Sequence, residues 1–342
     1  MGNSFIDLSA EDNAIHDVLQ NMGLLHAGNS WHITPLTGGV SSNILKVTVG
    51  NRQFCLKQAL PTLKVAKEWH APLERVFAEI DWMKTVAEIE PDAVPKILGV
   101  DKKNLCFVMD YLPAEHYHNW KSQLLNGEID IGFAEQMGGI LNNIHKKTAK
   151  NNELAGLFAY DDNFFSLRLD PYLGEIARNC STYSDYILSI LHRTQTTKIA
   201  LVHGDVSPKN ILRGPDGPVI LDAECAWYGD PAFDLAFCLN HFLLKSVIAK
   251  SKVDKERLLA AFQAMSEKYI TGINWEPTED FNFRAATLLP CLLLARVDGK
   301  SPAEYIQGQD VDRVRHASYT LLDHRYTQLK DIQEFWKKEI GL

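Results

Sequence analysis

The hydrophobic rhythm of the chain changes several times. Residues 9–22 place apolar positions at helical spacing, which predicts a helix with Ser9 as N-cap and Gly23 just past its end. From Trp31 the period drops to two. Residues 31–36, 44–49 and 52–58 alternate and are rich in β-branched side chains, as half-buried strands are. Thr37-Gly38-Gly39 separates the first two runs, and Gly50-Asn51, a hairpin pair, separates the last two. Residues 72–88 read as a helix with Pro72 near its first turn and Pro91 and Pro95 at its exit. Residues 96–100 and 105–110 then predict two more strands around a tight turn.

Beyond Pro113 the pattern is helical over 132–147, 171–195, 232–248, 253–271, 281–297 and 310–337. One interruption, residues 200–222, carries short β-like runs at 211–212 and 219–221. The expected class is α+β and bilobal. Residues 1–112 form a five-stranded antiparallel sheet plus a helix, and residues 113–342 form a mostly helical second lobe. Tyr111-Leu112-Pro113 is the boundary.

Composition adds exclusions. Apolar residues make up 46% of the 342 and charged residues 23%, which allows a sizeable core. The net charge of −8 argues against a nucleic-acid partner. The most apolar stretch, near 288–295, is far shorter than the ~20 residues of a membrane span. The first ten residues lack a basic region followed by an apolar run. No membrane partner and a cytoplasmic location are therefore expected. Cys55, Cys106, Cys180, Cys225, Cys238 and Cys291 form no C-x-x-C pair, so buried free thiols in a reducing compartment are expected. His116 and His118 show no zinc spacing with a nearby Cys.

Chemistry concentrates after Leu201, in L-V-H-G-D-V-S-P-K-N-I-L followed by P-V-I-L-D-A-E. Asp205 and Asn210 lie five apart in a loop, and Asp222 ends an apolar run twelve residues later. Mg²⁺ takes hard oxygen ligands and keeps positions for water and phosphate, a task suited to Asn210 and Asp222. Asp205 is left to accept a hydroxyl proton. Phosphoryl transfer needs little else beyond positioning and charge neutralisation. Asp205 and Asn210 are also good turn formers, but turn chemistry does not account for the full spacing.

H-G-D-x-x-x-x-N with a following strand ending in Asp resembles the aminoglycoside phosphotransferase and choline kinase superfamily, small-molecule relatives of protein kinases. Gly204 stands where protein kinases carry Arg, and G-D-P-A-F-D-L-A, residues 229–236, resembles the signature downstream of that family's metal Asp. The resemblance spans residues ~30 to ~300. It implies a protein-kinase-like fold, ATP (with GTP left open) and Mg²⁺ as cofactors, and transfer of the γ-phosphoryl group to a hydroxyl of a small molecule. His203 would be a packed support for the loop. Asp234, at a helix start and able to act as its N-cap, would accept backbone N–H bonds from the catalytic loop.

The nucleotide side rests on the same resemblance. Residues 36–46, L-T-G-G-V-S-S-N-I-L-K, resemble the family's phosphate loop, with Gly38 and Gly39 allowing close backbone approach and Ser41, Ser42 and Asn43 as donors. Lys57 on the third strand would reach the phosphates, with Glu79 as its carboxylate partner ahead of Glu74 and Asp81. An Arg75–Glu79 surface pair is the competing use. Residues 107–113 resemble the hinge, where the main chain from Asp110 to Leu112 would read the adenine edge.

The acceptor side is thinner. Glu224, Trp227 and Tyr228 are candidates, although both aromatics also suit a core. Lys209 would neutralise transferring phosphate or stay solvated. Arg296, with Asp298, would be an ion pair or an acceptor contact. No acidic cluster suited to an aminoglycoside is visible. Two other readings share the motifs: a regulatory nucleotide-binding protein without transfer activity, and a kinase acting on protein. The short segment between Asp222 and Gly229 weighs against the last.

Overall fold

The computed structural model describes residues 6–36, 41–61 and 72–342. Gly38 and Gly39 lie outside the described residues. Helix α1 (Asp12–Asn21) leads into strands β1 (Trp31–Pro35), β2 (Ser42–Val49) and β3 (Arg52–Ala59), then α2 (Arg75–Ala87), β4 (Ile97–Asp101) and β5 (Cys106–Asp110). The five strands form one antiparallel sheet in the order β1-β2-β3-β5-β4. β3 is central and buried along most of its length, because both faces of the sheet are covered. On one face α1 packs Ile15, Val18 and Leu19 against Leu45, Val47, Phe54 and Leu56. The other face meets α2, whose Val76, Ile80, Trp82 and Met83 join the main core.

Ser9 is not the N-cap of α1. The helix starts at Asp12 after Glu11, and the Ser9 hydroxyl instead donates to Asp7 Oδ1 at 2.6 Å in a preceding turn. Gln58 holds this arm to the sheet: it accepts from Leu8 N at 3.0 Å and donates to the Ile6 carbonyl at 2.8 Å.

The rest of the chain is largely helical. β6 (His118–Asn119), α3 (Trp120–Leu125), α4 (Ile131–Thr148), α5 (Asn152–Leu157) and α6 (Asp161–Phe164) lead into a π-helical stretch, Phe165–Gly174. Then come α7 (Glu175–Asn179), α8 (Ser184–Thr196), β7 (Ala200–Val202), β8 (Ile211–Gly214), β9 (Gly217–Ile220) and β10 (Trp227–Gly229). Helices α9 (Ala232–Ile248), α10 (Lys252–Thr271), α11 (Thr278–Asp298), α12 (Gln309–His324) and α13 (Leu329–Glu339) close the chain. The small strands pair as β10-β7 and β6-β8-β9. α9 is buried on every side except at its last residue, as expected of a largely apolar helix in the core.

Two predicted helices are divided. The 171–195 span breaks between Asn179 and Ser184. The 310–337 span breaks after His324, where Arg325 adopts φ 51° and ends α12 in the left-handed region. Among the described residues no helix is long and apolar enough to cross a membrane.

Candidate active site

β7 delivers the chain into a loop held from below by α9. The Asp234 carboxylate, fully buried, accepts from His203 N at 2.7 Å and Gly204 N at 2.8 Å, and His145 Nε2 lies 3.3 Å away. Asp234 is the third residue of α9 rather than its N-cap, so its side chain serves the loop and not its own helix; Asp230 accepts from Ala232 N at 3.0 Å instead. His203 is buried, accepts from Asp205 N through Nδ1 at 3.1 Å and donates through Nε2 to the Leu221 carbonyl at 3.1 Å. Burial lowers its pKa, so the ring is neutral and bridges the loop to the β9 exit. Its edge packs on Trp82 with centroids 4.8 Å apart, in contact with α2.

Gly204 turns the loop with φ +79°. A Cβ there would sit 2.7 Å from the Cys225 carbonyl oxygen. Asp222 also takes a positive φ, 69°, a conformation that Asp tolerates better than most residues.

Asp205, Asn210, Asp222 and Lys57 line one cavity of about 840 Å³ between the sheet and the helical region. Asp205 is buried and is gripped by Arg168 Nη2 at 2.7 Å, while Lys209 Nζ lies 3.2 Å from the same oxygen. Burial alone would raise its carboxyl. Arg168 and Lys209 outweigh burial and hold it below the usual carboxylate range. Arg168 comes from the π-helical stretch and also donates through Nε to the Gly204 carbonyl at 2.6 Å. Asn210 donates through Nδ2 to the Asp205 carbonyl at 3.1 Å, which leaves its Oδ1 for the cavity.

Lys57 lies opposite Phe107 on β5 and projects toward α2. Its Nζ meets Glu79 Oε1 at 2.7 Å and also Asp222 Oδ1. Burial would lower Lys57; the carboxylates of Asp222 and Glu79 outweigh it and keep the ammonium charged. Burial likewise opposes the Asp222 carboxylate, but Lys57 and Lys209 keep it ionised. Glu79, deeper still, is pushed up to about 7 by burial. The competing Arg75–Glu79 pair does not form: Arg75 Nε donates to Glu224 at 3.1 Å, and its Nη2 to the Ser41 and Leu60 carbonyls at 2.7 Å each.

Asn210 Oδ1 and the ionised Asp222 are two hard oxygen donors at a roomy, polar wall. That set fits Mg²⁺, which keeps several waters and phosphate oxygens. Among the described residues no cluster of three or more His, Cys, Asp or Glu could hold a metal.

The other candidates divide. Ser41, Ser42, Asp110, Leu112, Glu224 and Arg296 line the same cavity. Asn43 does not. Strand alternation turns it to the opposite face, where Nδ2 donates to Asp7 at 2.7 Å. Trp227 and Tyr228 are core residues. Trp227 stacks on Phe164 at 4.1 Å, and the Tyr228 hydroxyl accepts from Asn151 N at 2.8 Å and lies 2.8 Å from the Ile199 carbonyl. Arg296 and Asp298 are not a pair: Asp298 binds Arg315 at 2.7 Å, whereas Arg296 donates to the Tyr172 hydroxyl at 3.2 Å. Arg168, Tyr172, His241, Lys245 and Tyr305 also line the cavity, and no motif in the sequence marks them.

This loop, with its buried carboxylate support and its cavity-facing Asp, Asn and Lys, is the architecture of a kinase-like phosphotransferase, and the chain belongs to the phosphotransferase enzyme family (APH), whose model matches residues 32–266. It is 28% identical over 231 residues to a methylthioribose kinase of Yersinia pseudotuberculosis, an alignment covering 58% of this chain and 55% of that protein. The chain thus spans about half the length of the relatives it matches. Among solved structures, it is similar to the Plasmodium vivax ethanolamine kinase (TM-score 0.53, 12% identity, 99% and 89% of the two chains). It is also similar to the amicoumacin kinase hAmiN in complex with AMP-PNP, Ca²⁺ and Ami (TM-score 0.55, 13% identity, 95% and 98%). Both likenesses establish the protein-kinase-like fold.

Proposed function

We propose that the chain is a small-molecule kinase that moves the γ-phosphoryl group of ATP to an acceptor hydroxyl. The observation that carries the reading is the meeting of Asp205, Asn210, Asp222 and Lys57 at one cavity wall. In this reading residues 1–112 carry the nucleotide. Ser41 and Ser42 lie near its phosphates, Lys57 grips them under the control of Glu79, and the main chain of Asp110–Leu112 meets the base. Residues 113–342 carry the catalytic loop and the acceptor. Asn210 and Asp222 would hold Mg²⁺, which would supply charge to neutralise the phosphates.

Asp205 takes the proton of the acceptor hydroxyl as its oxygen bonds to the γ-phosphorus. The bond between that phosphorus and the bridging oxygen breaks, and ADP leaves. A carboxylate kept ionised by Arg168 and Lys209 stays available as an acceptor across the neutral range. A reducing, cytoplasmic setting is part of the same proposal, in keeping with six free cysteines, five of them buried.

Replacing Asp205 with Asn tests the reading. Turnover with Mg²⁺-ATP should fall by at least about 10²-fold, the scale of lost general-base assistance, while calorimetry still detects AMP-PNP binding. Undiminished turnover would sink the mechanism. A chain that binds nucleotide and transfers nothing would release no ADP in either form.

A further inference from the structure

The end of the cavity away from Lys57 holds cations without matching anions. Asp205 already serves Arg168 and Lys209, and Glu304 is ion-paired with Lys121. That leaves Lys245 and Arg296. Among the described residues no carboxylate lies within ion-pair distance of either. Lys245 is 1% exposed, and its polar contact is the Tyr305 hydroxyl at 3.4 Å. Arg296 commits Nη1 to Tyr172, to Ser301 Oγ at 3.2 Å and to the Ser301 carbonyl, while its Nε is buried without a partner.

His241 completes the group. Its Nδ1 lies 2.8 Å from the Tyr305 hydroxyl, and its Nε2 is buried without a partner. Lys245 donates to the Tyr305 oxygen, so the Tyr305 proton goes to His241 Nδ1, and Nε2 carries the imidazole hydrogen as an unused donor. Burial, then the charges of Lys245 and Arg296, holds His241 well below its usual range and keeps the ring neutral. Two buried donors on two helices, His241 Nε2 and Arg296 Nε, thus have no acceptor from the protein, and the buried Lys245 ammonium has one tyrosine hydroxyl at 3.4 Å. Such an arrangement costs folding free energy unless a ligand supplies the missing charge.

We propose that this end of the cavity binds an anionic group of the acceptor, a carboxylate or a phosphate, so that the enzyme phosphorylates a hydroxylated small acid rather than an amino alcohol, amino sugar or neutral sugar. The proposal rests on the kinase reading above. The geometry orients such a molecule. The Tyr172 ring lies near both arginines, with Arg296 Cζ at 6.0 Å and Arg168 Cζ at 5.9 Å from its centroid. Arg168 in turn holds Asp205. An anion seated on Lys245 and Arg296 would share its cavity with the proposed base, Asp205. A cationic acceptor would meet uncompensated like charge in the same place, which rejects it.

The test uses the full-length protein with Mg²⁺ and four probe sets. These are hydroxycarboxylates (glycerate, threonate, ribonate, gluconate), phosphates (glycerol 3-phosphate, ribose 5-phosphate), the matched neutral polyols, and choline with ethanolamine. Binding is read by calorimetry in the presence of AMP-PNP, and transfer by ³³P from labelled ATP. The expected result is binding and labelling of at least one anionic probe, with its neutral counterpart weaker by about 10- to 100-fold, the scale of one charged hydrogen bond. Lys245→Met combined with Arg296→Gln should weaken that probe by a similar factor or more. Which anionic set binds separates carboxylate from phosphate.

Anion binding without transfer would keep the pocket and overturn the kinase reading. Transfer to polyols or amines, with anions ignored, would keep the kinase and overturn the pocket. Failure of every anion to bind at 10 mM (roughly ten times the concentration equivalent to 4.1 kcal/mol of affinity) would also overturn it, as would equal binding by the double variant.

Discussion

Replacing Lys245 with Met should stabilise the ligand-free protein, and the size of the effect can be worked from the site. Lys245 sits in α9 at 1% exposure. Burial, then the neighbouring charges of Lys121 and Arg296, brings its pKa down to about 7. An unfolded lysine titrates near 10.5, so below pH 7 the folded state bears the full cost of a buried charge. Between about pH 7 and 10.5 the unfolded chain binds more protons than the folded one, and stability rises with pH. Integrating that difference gives a penalty of about 4 kcal/mol at pH 7 and about 2 kcal/mol at pH 9. Methionine keeps most of the stem volume and removes the charge. The variant should gain roughly those amounts, about 6 °C in Tm at pH 7 for a chain this long, with the gain shrinking by about half at pH 9. Urea and thermal unfolding of both proteins at pH 6, 7, 8 and 9 measure it. A variant no more stable than wild type at pH 6, or a gain independent of pH, would refute the idea that an uncompensated ammonium is buried here. It would remove the main support for an anionic acceptor.

Two other outcomes concern the loop after β7. Arg168→Met strips Asp205 of its first counter-charge while leaving it buried, so the carboxyl should titrate higher. The acidic limb of the kcat/KM profile should move up with it, whereas a merely structural arginine would lower activity without moving the limb. Arg168→Lys, which returns the charge, should restore most of the profile. Gly204→Ala must place a Cβ 2.7 Å from the Cys225 carbonyl in left-handed backbone. It should cost at least about 1–2 kcal/mol from the backbone alone, read by urea unfolding, and a neutral result would mean that the loop can re-form around a side chain.

The strands were legible because β1 to β5 alternate or run apolar over five to eight residues between turn formers, and neighbouring strands pair along the sheet. Helices with sharp chemical stops were legible too, α9 and α10 among them. The failures have local causes. No proline or glycine lies in residues 179–184 to mark the break between α7 and α8, and Arg325 caps α12 in a conformation usually left to Gly or Asn. The π-helical stretch Phe165–Gly174 carries Pro171 and has neither period, so nothing in the sequence marks it, or Arg168 within it. Asn43 was misplaced by reading a loop through a residue that already alternates within β2. The candidate base and metal ligands fared better because Asp205, Asn210 and Asp222 are close in sequence as well as in one cavity.

The proposed acceptor end is the opposite case. Arg168, His241, Lys245, Arg296 and Tyr305 are brought together by a π-helical stretch, two long helices and a following loop, and no local motif links them. One signal was nevertheless present. In A-F-D-L-A-F-C-L-N-H-F-L-L-K-S-V-I, positions 237, 241 and 245 fall at i, i+4 and i+8, one face of a helix that is largely apolar and buried. A helix buried all round tolerates a polar residue where something satisfies it. Asp234 meets that condition inside the protein, through His203 N and Gly204 N. His241 Nε2 and the Lys245 ammonium do not, since Nε2 has no partner and Lys245 has one tyrosine hydroxyl, which it shares with His241 Nδ1. The same helix thus separates two kinds of buried polarity. At its start the partner is the loop after β7, and two turns further on the proposed partner comes from outside the chain.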